Sequence, residues 1–248
     1  MAVLVTRPHP DNEATATALR ARGFEVVLAP MLRFEPLPLS GDLTAGYGAV
    51  IVSSANALRA IEAQLVQSPL QGLPLFAVGE QSAAAARALG FQKVISADGD
   101  AAALRDRVLA SARAKQLKKQ DALLYLAGAD LAGDLEGELS SRGFDVVVIT
   151  TYRMAAVANL PAEACEAFAA NRIHAVLHYS QRSARAFLNA VRAGGVEISA
   201  LSLPQCCISA NVAFPLREAG ATQVLAASEP NENALFEALE RALPSRLA

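Results

Sequence analysis

The sequence predicts an α/β protein made of two similar doubly wound parallel-sheet domains joined by two extended linkers. Three observations carry this prediction. Blocks of the chain return in the same order: residues 23–34 (GFEVVLAPMLRF) as 143–154 (GFDVVVITTYRM), 49–61 (AVIVSSANALRAI) as 175–187 (AVLHYSQRSARAF), and 74–95 as 204–225. The offsets of 120, 126 and 130 residues drift as loops of unequal length require. Short apolar runs alternate with helical patterns, and the runs are apolar throughout, as in strands covered on both faces. Right-handed crossovers would then wind helices onto both faces of each sheet.

The elements follow in order. AVLVT at 2–6 is a buried strand. Residues 11–22 form a helix with Ala14, Ala18 and Leu19 on one side and Gly23 as its stop. Strands are expected at 24–30 and 49–54, a helix at 56–65, a strand at 74–79, a helix at 81–89 ended by Gly90, and a strand at 93–96. Residues 101–114 form a helix with Leu104 and Val108 inward. ALLYLAG at 122–128 opens the second series, which runs through strands at 175–180, 205–209 and 223–227 to a terminal helix at 233–242. Two prolines in RFEPLP (33–38) enforce an extended linker, and 151–161 hold the matching place in the second copy. Residues 115–120 are a charged break, so the repeat alone cuts the chain near residue 119 into two sequential domains.

At 248 residues, 53% hydrophobic and 19% charged, the chain can bury a large core. A net charge of −2 removes the broad basic face of a nucleic-acid binder, though not a local basic pocket. Cys165, Cys206 and Cys207 lack metal-ligand spacing, and an odd count with an adjacent pair is a poor disulfide framework, which suits a reducing cytosol. No apolar run approaches the ~18 residues of a membrane span. MAVLVTRPHP has no basic region leading an apolar one, so no signal peptide is expected.

In each copy a buried strand ends in small polar residues that begin a helix. Ser53-Ser54-Ala55-Asn56 has its counterpart in Ser180-Gln181-Arg182-Ser183, and Gly79-Glu80-Gln81-Ser82 in Ser209-Ala210-Asn211-Val212. Capping is the ordinary task of Ser and Asn in such turns. These turns also lie at the carboxyl ends of parallel strands, where open sheets bind ligands and free N–H groups favour anions. Two such units facing each other would make an anion-lined cleft. Arg7, directly after the first strand, and Arg182, in a helix-start turn, are its candidate cations; Arg33 and Arg153 at matching linker positions fit a solvated surface equally well. Gly-x-Gly-x-x-Gly, a phosphate-cradling loop and Gly-x-Ser-x-Gly are all missing, and His9, His174 and His178 make no metal triplet by spacing. An enzyme of this kind would rely on positioning and backbone donors. Tyr152 breaks the repeat: its counterpart is Leu32, although the arginine that follows is shared. Its phenol could donate a proton or hydrogen bond, or its ring could pack between domains.

These residues resemble the uroporphyrinogen-III synthase family over essentially the full chain. The carriers are VTRP with the following Gly-Phe strand, AVIVSSANAL, LFAVGEQSAAAARALGF, LLYLAGADLAGDLEGELSSRGFDVVVITTYRM and ATQVLAASEPNENALFEAL. The resemblance implies a flavodoxin-like architecture with interleaved domains, 1–35 plus 155–248 and 36–154, and an active site in the cleft between them. It implies Tyr152 as the family's linker tyrosine, and Gly79-Glu80-Gln81-Ser82-Ala83 as its first Gly-x-x-Thr-Ala turn with Ser82 replacing Thr. The second turn falls on residues 209–213; there Val212 stands where a hydroxyl is common, and either Asn211 replaces that contact or the contact is dispensable. Ser180 matches the serine of the strand-end turn in the C-terminal half.

The resemblance further implies a cytoplasmic, monomeric lyase without cofactor or metal. It would close hydroxymethylbilane to uroporphyrinogen III, inverting the terminal pyrrole ring and losing water, in haem and sirohaem biosynthesis. The substrate would be a linear tetrapyrrole with eight carboxylates, suited to Arg7 and the helix starts, and handed over transiently by the enzyme that makes it. Nucleic acid and membrane are not expected partners. The alternative is a non-catalytic two-domain protein that closes on an acidic metabolite.

Overall fold

The structure is a computed structural model, and residues 1–118, 120–131 and 133–243 are described. The first elements are β1 (Ala2–Val5), α1 (Asp11–Ala21), β2 (Glu25–Leu28), β3 (Leu32–Pro36), β4 (Tyr47–Val52), α2 (Ala55–Ala60) and α3 (Glu62–Leu65). They are followed by β5 (Pro74–Ala77), α4 (Glu80–Ala88), β6 (Lys93–Ser96), α5 (Ala101–Arg113), β7 (Ala122–Gly128), α6 (Leu135–Ser140) and β8 (Val146–Ala156). The rest are α7 (Ala162–Ala169), β9 (Ile173–His178), α8 (Gln181–Ala193), α9 (Glu197–Leu201), β10 (Gln205–Cys207), α10 (Ala210–Glu218), β11 (Val224–Ala226) and α11 (Glu232–Ala242).

The chain divides into two compact units, Met1–Arg33 with Ala155–Ala248 and Phe34–Met154. The five-stranded sheet has the order β11-β10-β9-β1-β2, and the six-stranded sheet β3-β8-β7-β4-β5-β6. All pairings within β11-β10-β9-β1-β2 and within β8-β7-β4-β5-β6 are parallel. Counted along the chain, the strands of the first unit follow the flavodoxin-like order 2-1-3-4-5. The second unit follows the same order if β7 and β8 are taken as its first two strands. The repeat equates β1 and β2 with β7 and β8, and β4 and β5 with β9 and β10. Apart from the edge strand β3, each sheet therefore takes two strands from one copy and three from the other. A sequential boundary near residue 119 is wrong for this reason: it falls between α5 and β7, inside the second unit.

Local chemistry sets the element boundaries. Gly23 and Gly90 end helices at φ of 78° and 90°, a left-handed geometry that side chains resist. The single helix expected at 56–65 is two short ones, because Ile61 leaves the helical region at φ −117° and ψ 17°. Its side chain is fully buried. The second linker is not a separate segment: β8 runs unbroken through Thr151 to Ala156. It lies beside β3 in the sheet, with Leu37 N–H donating to Thr151 O (2.8 Å) and Val157 N–H to Met31 O (2.9 Å).

Each sheet buries both faces. In the second unit Val50, Val52, Leu124 and Leu126 pack on Leu58, Ile61 and Ala83, while Ile51, Phe76, Leu123 and Tyr125 pack on Leu104, Val108 and Leu139. Alternate residues of one strand thus meet α2 and α4 on one side and α5 and α6 on the other. In the first unit Val3, Val5, Leu177 and Cys206 meet Leu19 of α1 and Phe236 of α11. The alternate residue His178 sets its ring 5.1 Å from that of Phe187 in α8. Cys165, Cys206 and Cys207 are free thiols, and burial pushes those of Cys206 and Cys207 up to about 12.

Candidate functional site

Both sheets reverse strand order between their first and third strands, β1/β9 in one unit and β7/β4 in the other. Open α/β sheets hold ligands at the carboxyl ends of strands at such switch points. Most of the sequence-expected residues directly follow strands of the two sheets at these ends.

On the first unit, Thr6 follows β1 and is fully buried, its hydroxyl donating to Leu177 O at 2.8 Å. That bond ties β1 to β9 at the switch point. Arg7 leaves the sheet next, with 28% of its side chain exposed. Its Nη1 donates to Glu232 Oε1 and to Thr15 Oγ1, both at 3.1 Å, and its Nη2 lies 3.4 Å from Asp11 Oδ2. The guanidinium stacks 4.6 Å above the Tyr179 ring. Glu232 also accepts from the hydroxyls of Thr15 (2.6 Å) and Tyr179 (2.8 Å). One carboxylate thus organises three donors from β1, α1 and the end of β9. Burial holds the Tyr179 phenol well above its ordinary range, and the bond to Glu232 adds to the rise, since it favours the protonated form.

Ser180 caps α8: its hydroxyl accepts from Ser183 N–H at 3.0 Å and lies 2.8 Å from Ser183 Oγ. Arg182 is exposed on the first turn of α8. Asn211 is exposed at the start of α10, and its carbonyl accepts a long bond from Gln181 Nε2 at 3.4 Å. Val212 is buried, so no hydroxyl stands at that position. Beneath the face, His178 is fully buried and bonded to Gln205 Oε1 at 2.9 Å. Burial drives its pKa down from 6.5 to about 4, against the opposing effect of that bond. It is a neutral packed residue at ordinary pH.

The second unit presents neutral hydroxyls. Ser53, just past β4, shares a 3.0 Å hydrogen bond with the Tyr125 phenol of β7. Burial raises the Tyr125 pKa; the Ser53 bond opposes the rise and nearby Tyr152 adds to it. Ser54 caps α2, accepting from Asn56 N–H at 3.2 Å. The Asn56 side chain accepts from Arg59 Nη1 (2.8 Å) and donates weakly to Met154 Sδ (3.8 Å). Gly79 begins α4 with extended backbone, no side-chain cap and open space where a Cβ would stand. Ser82, three residues on, is 5% exposed, and its hydroxyl has no hydrogen-bond partner among the described residues.

Tyr152 sits on β8 opposite Gly128 of β7, its ring 5.6 Å from that of Phe34. Its phenol too has no hydrogen-bond partner among the described residues. Arg153 pairs instead with Glu35 at 2.7 Å and is mostly exposed, as a surface arginine would be; Arg33 is exposed. Sequence reasoning missed Tyr125, Tyr179, Glu232 and Gly128. Tyr125 carries a phenol inside an apolar run, a usable signal. Glu232 lies 225 residues from Arg7, and only the fold brings them together. Among the described residues, no three His, Cys, Asp or Glu side chains form a group that could hold a metal ion.

The family model described as "Uroporphyrinogen-III synthase HemD" matches residues 13–237. The uroporphyrinogen-III synthetase of Helicobacter pylori is a similar solved structure, at 19% identity and TM-score 0.62 over 95% of this chain and 96% of that one. A mutant uroporphyrinogen III synthase of the extremely thermophilic bacterium Thermus thermophilus aligns at 17% identity and TM-score 0.55 over 98% of each chain. At these identities the likeness is one of fold. No curated protein sequence matches the chain.

Proposed function

Because the chain belongs to the uroporphyrinogen-III synthase family, whose model spans residues 13–237, we propose that it closes hydroxymethylbilane to uroporphyrinogen III through the residues just described. The family match carries this reading. The protein is a cyclising enzyme of tetrapyrrole synthesis, and a binding-only role is not favoured. In reaction class it is a lyase that expels water.

The substrate carries its own driving force, since an electron-rich pyrrole readily releases the hydroxyl of its hydroxymethyl arm. Tyr152, with its phenol unengaged, gives a proton to that hydroxyl as the C–O bond breaks and water departs. The pyrrole nitrogen keeps its proton and shares its positive charge with the methylene, which leaves an electrophilic protonated azafulvene. The substituted α-carbon of the terminal ring attacks that methylene and forms a spiro centre. Cleavage and re-closure of the spiro centre invert the ring, and the proton lost on rearomatisation restores the phenol. General acid help of this kind is typically worth ~10²–10⁴-fold, and a phenol belongs at the lower end because it is a weak acid. Holding a flexible chain for ring attack is work of orientation.

The substrate's carboxylates meet Arg7 and Arg182 and the helix starts at Ser54, Asn56, Gly79, Ser82, Ser180 and Asn211, with Ser53 alongside Tyr125. The two compact units, Met1–Arg33 with Ala155–Ala248 and Phe34–Met154, serve as the family's interleaved domains, whose expected bounds lie within two residues of these. The protein works as a monomer in the cytoplasm, without a cofactor, and receives its labile substrate by transient hand-over. Among the described residues, no helix is long and apolar enough to cross a membrane. The test is product analysis with hydroxymethylbilane. The type III isomer should dominate over the type I isomer formed spontaneously; type I alone would overturn the reading.

A further inference from the structure

Gly128 has a backbone that any L-residue could adopt, since its φ lies outside the left-handed region. A conformational reason for glycine is therefore absent. The reason is space: a Cβ there would stand 2.7 Å from Tyr152 Cζ, 2.9 Å from its Oη and 3.0 Å from its Cε1. No real side chain tolerates a contact of 2.7 Å without movement. The phenol end of Tyr152 occupies the space that a side chain at position 128 would fill.

The strand is shaped to bring it there. Ala127 pairs with Thr150 but Gly128 pairs with Tyr152, so Thr151 is an extra residue in β8. Such a bulge re-aims the side chain that follows. Thr151 is fully buried, and its hydroxyl lies 3.2 Å from Ala127 O and 3.3 Å from Ala57 O, which anchors the bulge to β7 and α2. Ala129 N–H donates to Tyr152 O at 2.8 Å and fixes the backbone beneath the ring. The tilted Phe34 ring lies beside it at 5.6 Å, and the end of the Tyr152 side chain is the group that must shift to admit a methyl group.

We propose that Gly128 is a positioning residue for Tyr152: its missing side chain lets the phenol reach the place from which it serves the departing hydroxyl. This rests on the acid role proposed for Tyr152. The experiment is a cycle of Gly128→Ala and Tyr152→Phe, read as kcat and KM with hydroxymethylbilane. Gly128→Ala alone should lower kcat by about ten- to a hundredfold, because a shift near 1 Å at a reacting group costs on that order. KM should stay within about threefold, since the methyl group faces Tyr152 and not a carboxylate contact. In the Tyr152→Phe background the same change should cost less than about twofold, because the proton it misplaces is already gone.

Wild-type turnover in Tyr152→Phe would remove the acid role and this proposal with it. A loss in Tyr152→Phe, with Gly128→Ala costing the same factor in both backgrounds, would overturn the role of Gly128 alone. Should Gly128→Ala fail to fold, Gly128→Ala with Tyr152→Ala must fold, since the ring that the methyl meets is then absent. Failure of that pair as well would also overturn the proposal, by showing that the methyl meets something else.

Discussion

The two carboxyl-end faces share one strand order but treat their polar groups in opposite ways. On the first unit, Arg7, Thr15 and Tyr179 are all bonded to Glu232, and the phenol of Tyr179 is spent as a donor to that carboxylate. On the second, the Tyr152 phenol and the Ser82 hydroxyl have no hydrogen-bond partner among the described residues. A matched charge network stiffens a face and holds Arg7 in one place, where its contact with an anion changes little during a reaction. An unengaged phenol on a packed strand can change its bonding during a reaction. Under the proposed function, structure and uniform binding belong to the first unit and chemistry to the second.

The largest expected difference is in acid sensitivity. All three histidines lie in the first unit, and the folded His178 takes a proton only near pH 4, against 6.5 when unfolded. The unfolded chain thus binds more protons between these values. Stability from this group is intact above 6.5 and falls as pH drops through the window, by about 3 kcal/mol at pH 4. Amide exchange from pH 7 to 4 should show β9 and β10 losing protection before β4 and β7, and His178→Gln should flatten the trend. Equal loss in both units would break the comparison.

Next in size is Glu232→Ala, which leaves Arg7, Thr15 and Tyr179 without their shared acceptor. It should cost about 2 kcal/mol in urea unfolding, at the lower end for a charged acceptor because the carboxylate is a third exposed. Ser53→Ala, which removes one neutral bond, should cost about 1 kcal/mol or less. The reverse order would show that the Glu232 network adds little. On binding, Arg7→Ala should raise KM about tenfold with kcat nearly unchanged, at the low end for a charged contact because Glu232 and Asp11 already engage that guanidinium. An unchanged KM would place Arg7 outside the substrate's reach.

Much of the fold was legible because its signals are local. ALLYLAG is strand β7 to the residue, and Gly23 and Gly90 end helices where the pattern stopped. What a repeat cannot show is which copy a strand joins. β1 and β7 are equivalent in sequence pattern, and pairing with β9 or β4 is decided by how distant parts of the chain connect. The site divides similarly. Ser54 and Ser180 were visible as strand-end polar residues, and both serve as caps. Tyr152 stood out by breaking the repeat. Its cradle did not, because Gly128 and the Thr151 bulge acquire meaning only when β7 and β8 lie side by side.

The central claim is that the second unit's phenol acts and the first unit's phenol holds. Turnover of hydroxymethylbilane by Tyr152→Phe and Tyr179→Phe, assayed together with the type III to type I product ratio, tests it most directly. Tyr152→Phe should lose about a hundredfold in kcat and keep type III as its product. Tyr179→Phe should stay within about threefold of wild type in kcat while losing about 1 kcal/mol of stability. A hundredfold loss in Tyr179→Phe beside wild-type turnover in Tyr152→Phe would contradict it.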